Sequence, residues 1–292
     1  MRHVRMLGLC LVAAFAMSAI AAVPALAKNN VWNKFAECPL NYPEALNGCI
    51  YAKTGPEAFF QAGKVVVHFV KPIVLQVGFK ENEETGELKV IAAEQGRSVT
   101  KVNEPAPPLT EDINTEALSE AEKARYEAYL AAGKSTKTTA TIELAKPAED
   151  MTLNEGALLQ ETKETSLGFP VMIHLSNPFV GKDCYVGSTQ SPINVPFITG
   201  ETEPPPPNTP IHGKLGTINV LGEGRILQIV GDRLVNNSYA SPGVQGCGKS
   251  GGADAAMNSA LGLPSPAGTN SSELVGELNQ AGAEAVRENF TR

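Results

Sequence analysis

Residues 63–79 read GKVVVHFVKPIVLQVGF. Valine, isoleucine and phenylalanine dominate the stretch. Branching at Cβ crowds the preceding turn of a helix but fits a pleated surface, so the reading is strand. Pro72 has no N–H to give to a ladder and divides the stretch into two strands. Working outward, further β candidates lie at 88–93, 138–145, 170–176, 193–198, 217–221 and 226–230. The last two flank Gly222-Glu223-Gly224-Arg225, a hairpin connection rich in residues that tolerate unusual φ. Many short strands punctuated by Gly and Pro predict a mainly β fold, an antiparallel sandwich or barrel-like body.

Three segments depart from that pattern. Residues 103–135 begin with Pro105, Pro107 and Pro108 and continue into SEAEKARYEAYLAAG, a helical insertion. Ser119 and Glu122 have capping-box spacing, Gly133 is a natural stop, and Leu118, Tyr126, Tyr129 and Leu130 form an apolar edge. Such an edge serves a surface helix packed on strands or, alternatively, a partner. Near the C-terminus, residues 253–261 and 272–289 are Ala-rich and read as helical segments separated by Pro264 and Pro266. In the second of them Leu274, Leu278, Ala281 and Ala285 recur at three- and four-residue steps. Between strand candidates, 203–208 (EPPPPN) predicts a stiff polyproline II loop.

With 42% hydrophobic and 19% charged side chains in 292 residues, the chain has enough apolar material for a sizeable core. Its formal charge of −7 argues against nucleic acid, whose binding rests on clustered positive charge. Residues 80–164 hold 18 acids against 10 bases, a surface that repels anionic envelope polymers; no D-x-D-x-D-G loop appears among them to hold calcium.

The N-terminus carries an address. Arg2, His3 and Arg5 precede an apolar run from Met6 to about Ile20, and Ala25-Leu26-Ala27 offers small residues for cleavage before Lys28. Residues 1–27 therefore read as a secretory signal peptide, leaving 28–292 as a single disulfide-braced, β-rich domain that is secreted or held at the cell surface. After the leader no apolar run approaches the roughly 18 residues of a spanning helix. Losing Arg2 and Arg5 takes the formal charge from −7 to −9. Cys10 lies inside the apolar run, not after it, which argues against a lipid-anchored cysteine.

Cys38, Cys49, Cys184 and Cys247 remain, and an even number of cysteines in an exported chain predicts two disulfides. Four cysteines allow three connectivities. The favoured one joins Cys38 to Cys49, because Pro39, Pro43 and Gly48 can turn the short segment back, and leaves Cys184 for Cys247. C-x2-C spacing is lacking, so zinc is not expected.

Two strings imitate chemistry. Residues 243–250, GVQGCGKS, match the G-x-x-x-x-G-K-[ST] phosphate loop, but such a loop follows a buried strand and opens a helix. Here Tyr239-Ala240-Ser241-Pro242 precedes the string and Gly251-Gly252 follows it. The overlapping Gly248-Lys249-Ser250-Gly251-Gly252 echoes the surroundings of a serine-protease nucleophile, with Lys249 where that motif has an acid. Its catalysis needs a His base held by a buried Asp. His68 and His174 alternate within strand candidates, and with His212 they lack H-x3-H spacing. The sequence thus offers no catalytic residue, no cofactor site and no metal site.

The chain resembles a broad group of uncharacterised secreted proteins of actinobacteria. The resemblance rests on Cys38-Pro39-Leu40 with Cys49, Lys71-Pro72-Ile73-Val74-Leu75, Asn177-Pro178-Phe179-Val180-Gly181, Cys184-Tyr185-Val186-Gly187-Ser188, Pro204–Pro207, Leu234-Val235-Asn236-Asn237, Gly246-Cys247-Gly248, and the run from Gly262 to Gly268. It covers most of the chain outside 103–135 and implies export and two disulfides, but no activity. The expected function is an exported, non-catalytic β-rich protein that binds an envelope component or another protein. The alternatives are a secreted hydrolase whose site is assembled only in the fold, or a carrier of a small apolar ligand with residues 65–77 in its wall.

Overall fold

The computed structural model describes residues 31–42, 44–82, 88–106, 113–131 and 138–290. The leader, Pro43 and Gly133 lie outside the described residues. The fold is mainly β. Fifteen strands are formed among them: β1 Gly48–Thr54, β2 Phe59–Ala62, β3 Val65–His68, β4 Val74–Glu81, β5 Leu88–Ala92, β6 Asn103–Ala106, β7 Thr138–Leu144, β8 Thr152–Leu153, β9 Leu167–Asn177, β10 Gly181–Val186, β11 Ile193–Phe197, β12 Thr217–Leu221, β13 Ile226–Asn236, β14 Val244–Gln245 and β15 Ser272–Gly282. The helices are α1 Glu120–Ala131, α2 Glu155–Leu158, α3 Asp254–Leu261 and α4 Ala283–Asn289.

The strands form two antiparallel sheets. One runs β12-β13-β15-β1-β4-β5, with β2 joining β15 to β3; the other runs β14-β10-β9-β7-β6, with β8 and β11 also on β9. Each path has open ends, so the body is a sandwich and the barrel expectation falls away. Pro72 does part β3 from β4, and β12 and β13 form the expected hairpin. Inward residues alternate along the strands, and Phe60, Phe69, Leu75, Ile173, Leu175 and Phe197 meet in the core between the sheets. Burying side chains of this kind contributes roughly 1.5–3 kcal/mol each.

A smaller core covers the outer face of the first sheet. There Trp32, Phe35, Ile226, Ala281 and Val286 surround the Cys38–Cys49 disulfide. The second disulfide joins Cys184 on β10 to Cys247 just after β14, and neither cysteine is exposed to solvent.

Residues 272–289 are not one helix, contrary to the apolar stepping. They form β15, the strand between β13 and β1, and helix α4. Leu274 and Leu278 are four apart, a spacing that serves a strand face as well as a helix stripe. Pairing on both sides then overrides the helix preference of the alanines. The 203–208 run also departs from expectation: it turns at Pro206–Pro207, and Asn208 ties it down by donating to the carbonyls of Asn237 (2.9 Å) and Asn270 (2.8 Å).

Helix α1 is packed, not free. Tyr126 and Tyr129 are buried, with ring centroids 5.1 and 6.5 Å from Phe179, and only Leu130 of the apolar edge is exposed. Half of the capping box forms, since Ser119 Oγ accepts from Glu122 N–H at 3.3 Å. The Glu122 carboxylate turns elsewhere.

Candidate functional site

Between the sheets the packing leaves a cavity of about 110 Å³. Its lining is buried at Phe60, Phe69, Leu75, Ile142, Val171 and Phe197, and half-exposed at Ile73, Val99, Leu144 and Phe169, where it approaches solvent. Residues 65–77 contribute Phe69, Ile73 and Leu75, so the stretch that marks the fold as β also supplies part of the wall.

One lining residue does not fit an apolar wall. Asp232 on β13 is 7% exposed. The register of β13 against β15 shifts between Val230 and Asp232, a β-bulge with Gly231 at φ +73°, a conformation that a side chain would resist. Before the bulge, Leu227 and Ile229 share the inner face with Leu278; after it, Asp232 and Leu234 do, opposite Gly276 and Leu274. Counted on from Leu227 and Ile229 in unbroken alternation, Asp232 would face outward with the neighbouring polar side chains; the unpaired Gly231 shifts the phase and brings it inward. Gly276, directly opposite, has no side chain to cover it.

Among the described residues no side chain hydrogen-bonds or forms an ion pair with the Asp232 carboxylate. Burial pushes its pKa up to about 6, opposed only by a hydrogen bond from its own backbone. The other ionisable lining residues, Lys53, Glu143 and Glu277, occupy outward positions of β1, β7 and β15 by strand alternation. Glu277 pairs with Lys34 (3.1 Å) and Glu143 with Lys101 (2.6 Å), while Arg233, beside Asp232 in the chain, pairs outward with Glu273 (3.1 Å). A lone carboxylate thus borders an otherwise apolar space. The strand candidate at 226–230 stops short of Gly231-Asp232, so the sequence does not single Asp232 out; the signal that points to it is a glycine inside an apolar strand run, which marks a bulge.

The phosphate-loop string has a different role. Gly246 and Gly248 turn the chain with positive φ, and the backbone N–H groups this exposes are met by the protein's own acids. Asp254, in the first turn of α3, accepts from Gly246 N–H (3.2 Å) and Cys247 N–H (2.7 Å). Glu122 of α1, 2% exposed, accepts from Lys249 N–H (2.7 Å) and from Arg125 Nη1 (2.6 Å). Carboxylates stand where a phosphate would, and the loop is a brace between α1, β10 and α3. Asp254→Ala should therefore lower stability by roughly 1–3 kcal/mol, the cost of stranding backbone donors. Lys249→Ala and Ser250→Ala remove exposed side chains and should change it by under about 0.5 kcal/mol. Chemical denaturation of the three variants checks this, and tight ATP binding lost in Lys249→Ala would contradict it.

The histidines do not gather. His68 is exposed at the end of β3, and His212 pairs with Glu161 at 2.9 Å. His174 stacks on Tyr185 at 4.6 Å, with Nε2 2.8 Å from the Lys182 carbonyl. Ser250 is not brought to any of them. Among the described residues no group of three or more His, Cys, Asp or Glu could hold a metal ion, and no helix is long and apolar enough to cross a membrane. No protein-family model, curated protein or solved structure matches this chain.

Proposed function

We propose that this protein is an exported, non-catalytic carrier that holds a small apolar molecule between its two sheets. The observation that carries this reading is the cavity of about 110 Å³ between Phe60, Phe69, Ile142, Val171 and Phe197. Cavities of roughly 150 Å³ lined by Leu, Ile and Phe take up benzene or xenon, because such lining regains the dispersion contacts that empty space forfeits. A size of this order suits a compact ring or a short chain and falls short of the roughly 300–1,000 Å³ typical of drug-sized ligands. The leader-like residues 1–27, the resemblance to secreted proteins of actinobacteria and the two disulfides support export.

Titration with benzene, followed by methyl NMR of the chain from Lys28 onward, tests the reading. Saturable shifts confined to Leu274, Leu278, Val171 and Ile142 are expected, and they should weaken in Ala52→Leu, which adds bulk to the inner face of β1. Shifts that never saturate, or that scatter over the surface, would end it.

A second reading has its own observation. An open groove of about 770 Å³ runs between Ser191, Asn194, Asn236, Tyr239, Ser241 and the prolines Pro242, Pro264 and Pro266. Hydroxyl, amide and ring surfaces of this kind suit a neutral envelope polymer, and retention of the protein on purified cell-wall polysaccharide would favour it.

A further inference from the structure

Resting on the carrier reading, we infer that the molecule held between the sheets is an apolar amine, its ammonium group paired with Asp232 while its hydrocarbon part fills the cavity. The fold goes out of its way to place this carboxylate. An unpaired residue at Gly231 shifts the strand's phase so that Asp232 faces inward, opposite Gly276, among the residues that line the cavity. A carboxylate 7% exposed is costly to keep unless a counter-charge reaches it. The nearby cations do not. Lys53 of β1, Lys34 below the outer face of the first sheet and Arg233 of β13 lie on the outward side, Lys34 and Arg233 bound to Glu277 and Glu273. Lys101, beside the second sheet, is bound to Glu143 of β7. A ligand that suits both this carboxylate and the side chains of Phe60, Phe69 and Leu234 is a cation carried on a hydrocarbon group, which describes a protonated amine. A neutral alcohol would supply a hydrogen bond without the charge, and a hydrocarbon would supply neither.

Three probes of nearly equal shape separate these: benzylamine, benzyl alcohol and toluene, titrated by calorimetry and NMR. At pH 7.5 benzylamine should bind at least about tenfold more tightly than benzyl alcohol, the advantage of a charge-assisted hydrogen bond. In Asp232→Asn that preference should vanish while toluene binds as before, which also shows that the cavity survives the substitution. In the native protein the preference should fall about tenfold by pH 5, one unit below the raised pKa of about 6. That profile needs no variant. Equal affinities at pH 7.5, a preference that persists in Asp232→Asn, or one unchanged between pH 7.5 and pH 5 each overturn the inference. If toluene binds without any amine preference, the inference fails and the carrier reading stands. If none of the three probes binds, both fail.

Discussion

Replacing Cys184 and Cys247 together by alanine should lower the unfolding free energy by about 4 kcal/mol, the larger of the two disulfide effects. The bridge spans a sequence separation of 63 residues, and on the chain-entropy model closing so long a loop restricts the unfolded ensemble by about that amount. The Cys38–Cys49 bridge spans 11 and should contribute about 3 kcal/mol on the same model. Location widens the gap. Cys184 belongs to β10 beside β9, and Cys247 opens the loop that Asp254 and Glu122 hold, so its loss loosens the attachment of α1 and α3. Cys38–Cys49 fastens the N-terminal turn onto the outer face of the first sheet and leaves the main core untouched. Against a typical domain stability of about 5–15 kcal/mol, the first loss brings the protein near its threshold. Urea unfolding of the two double variants measures the order; equal effects, or a larger one at Cys38–Cys49, would contradict it.

Asp232→Asn should make the protein more stable than the native chain at pH 7.5 and confer little advantage at pH 4. The folded pKa of about 6 lies above the usual 3.8, so the folded state binds the proton more tightly than the unfolded chain does. Below about pH 3.8 both states are protonated and no penalty exists. As pH rises from there to about 6 the unfolded chain ionises first, and the native fold loses stability relative to it. Above pH 6 the full penalty is in place, about 3 kcal/mol for a shift of this size. Asparagine does not titrate, so the difference between variant and native should grow by about 2–3 kcal/mol between pH 4 and pH 7.5, whatever constant offset the amide introduces. Unfolding curves at several pH values decide it. A difference that stays flat would place Asp232 in water. Saturation of the native protein with benzylamine at pH 7.5 should recover part of the penalty, because a ligand bound only to the folded state stabilises it.

The β character was legible because it is local. Branched and aromatic residues at 65–70 and 73–79 state their preference within a few residues, and Pro72 states where one strand ends. The hairpin at 222–225 and the helix at Glu120–Ala131 were legible for the same reason. The stretch 272–289 was misread because Leu274 and Leu278 satisfy both periods; only the presence of β1 and β13 on either side decides for strand. GVQGCGKS was legible as improbable chemistry, yet its actual task stayed hidden. Its acceptors Glu122 and Asp254 come from two helices, one of them more than a hundred residues away in the chain.

By itself, then, the sequence determined the class of fold, the cysteines available for two bridges and the leader-like start, all properties of composition and short-range pattern. The tertiary structure alone decided which strands are neighbours, where the two sheets fail to fill the space between them, and that Asp232 faces that space. A cavity is what side chains from β2, β4, β7, β9, β11 and β15 leave over when they meet, and the facing of a strand residue reverses with a single inserted position. Neither is a property of any short segment, so neither can be read before the segments are brought together.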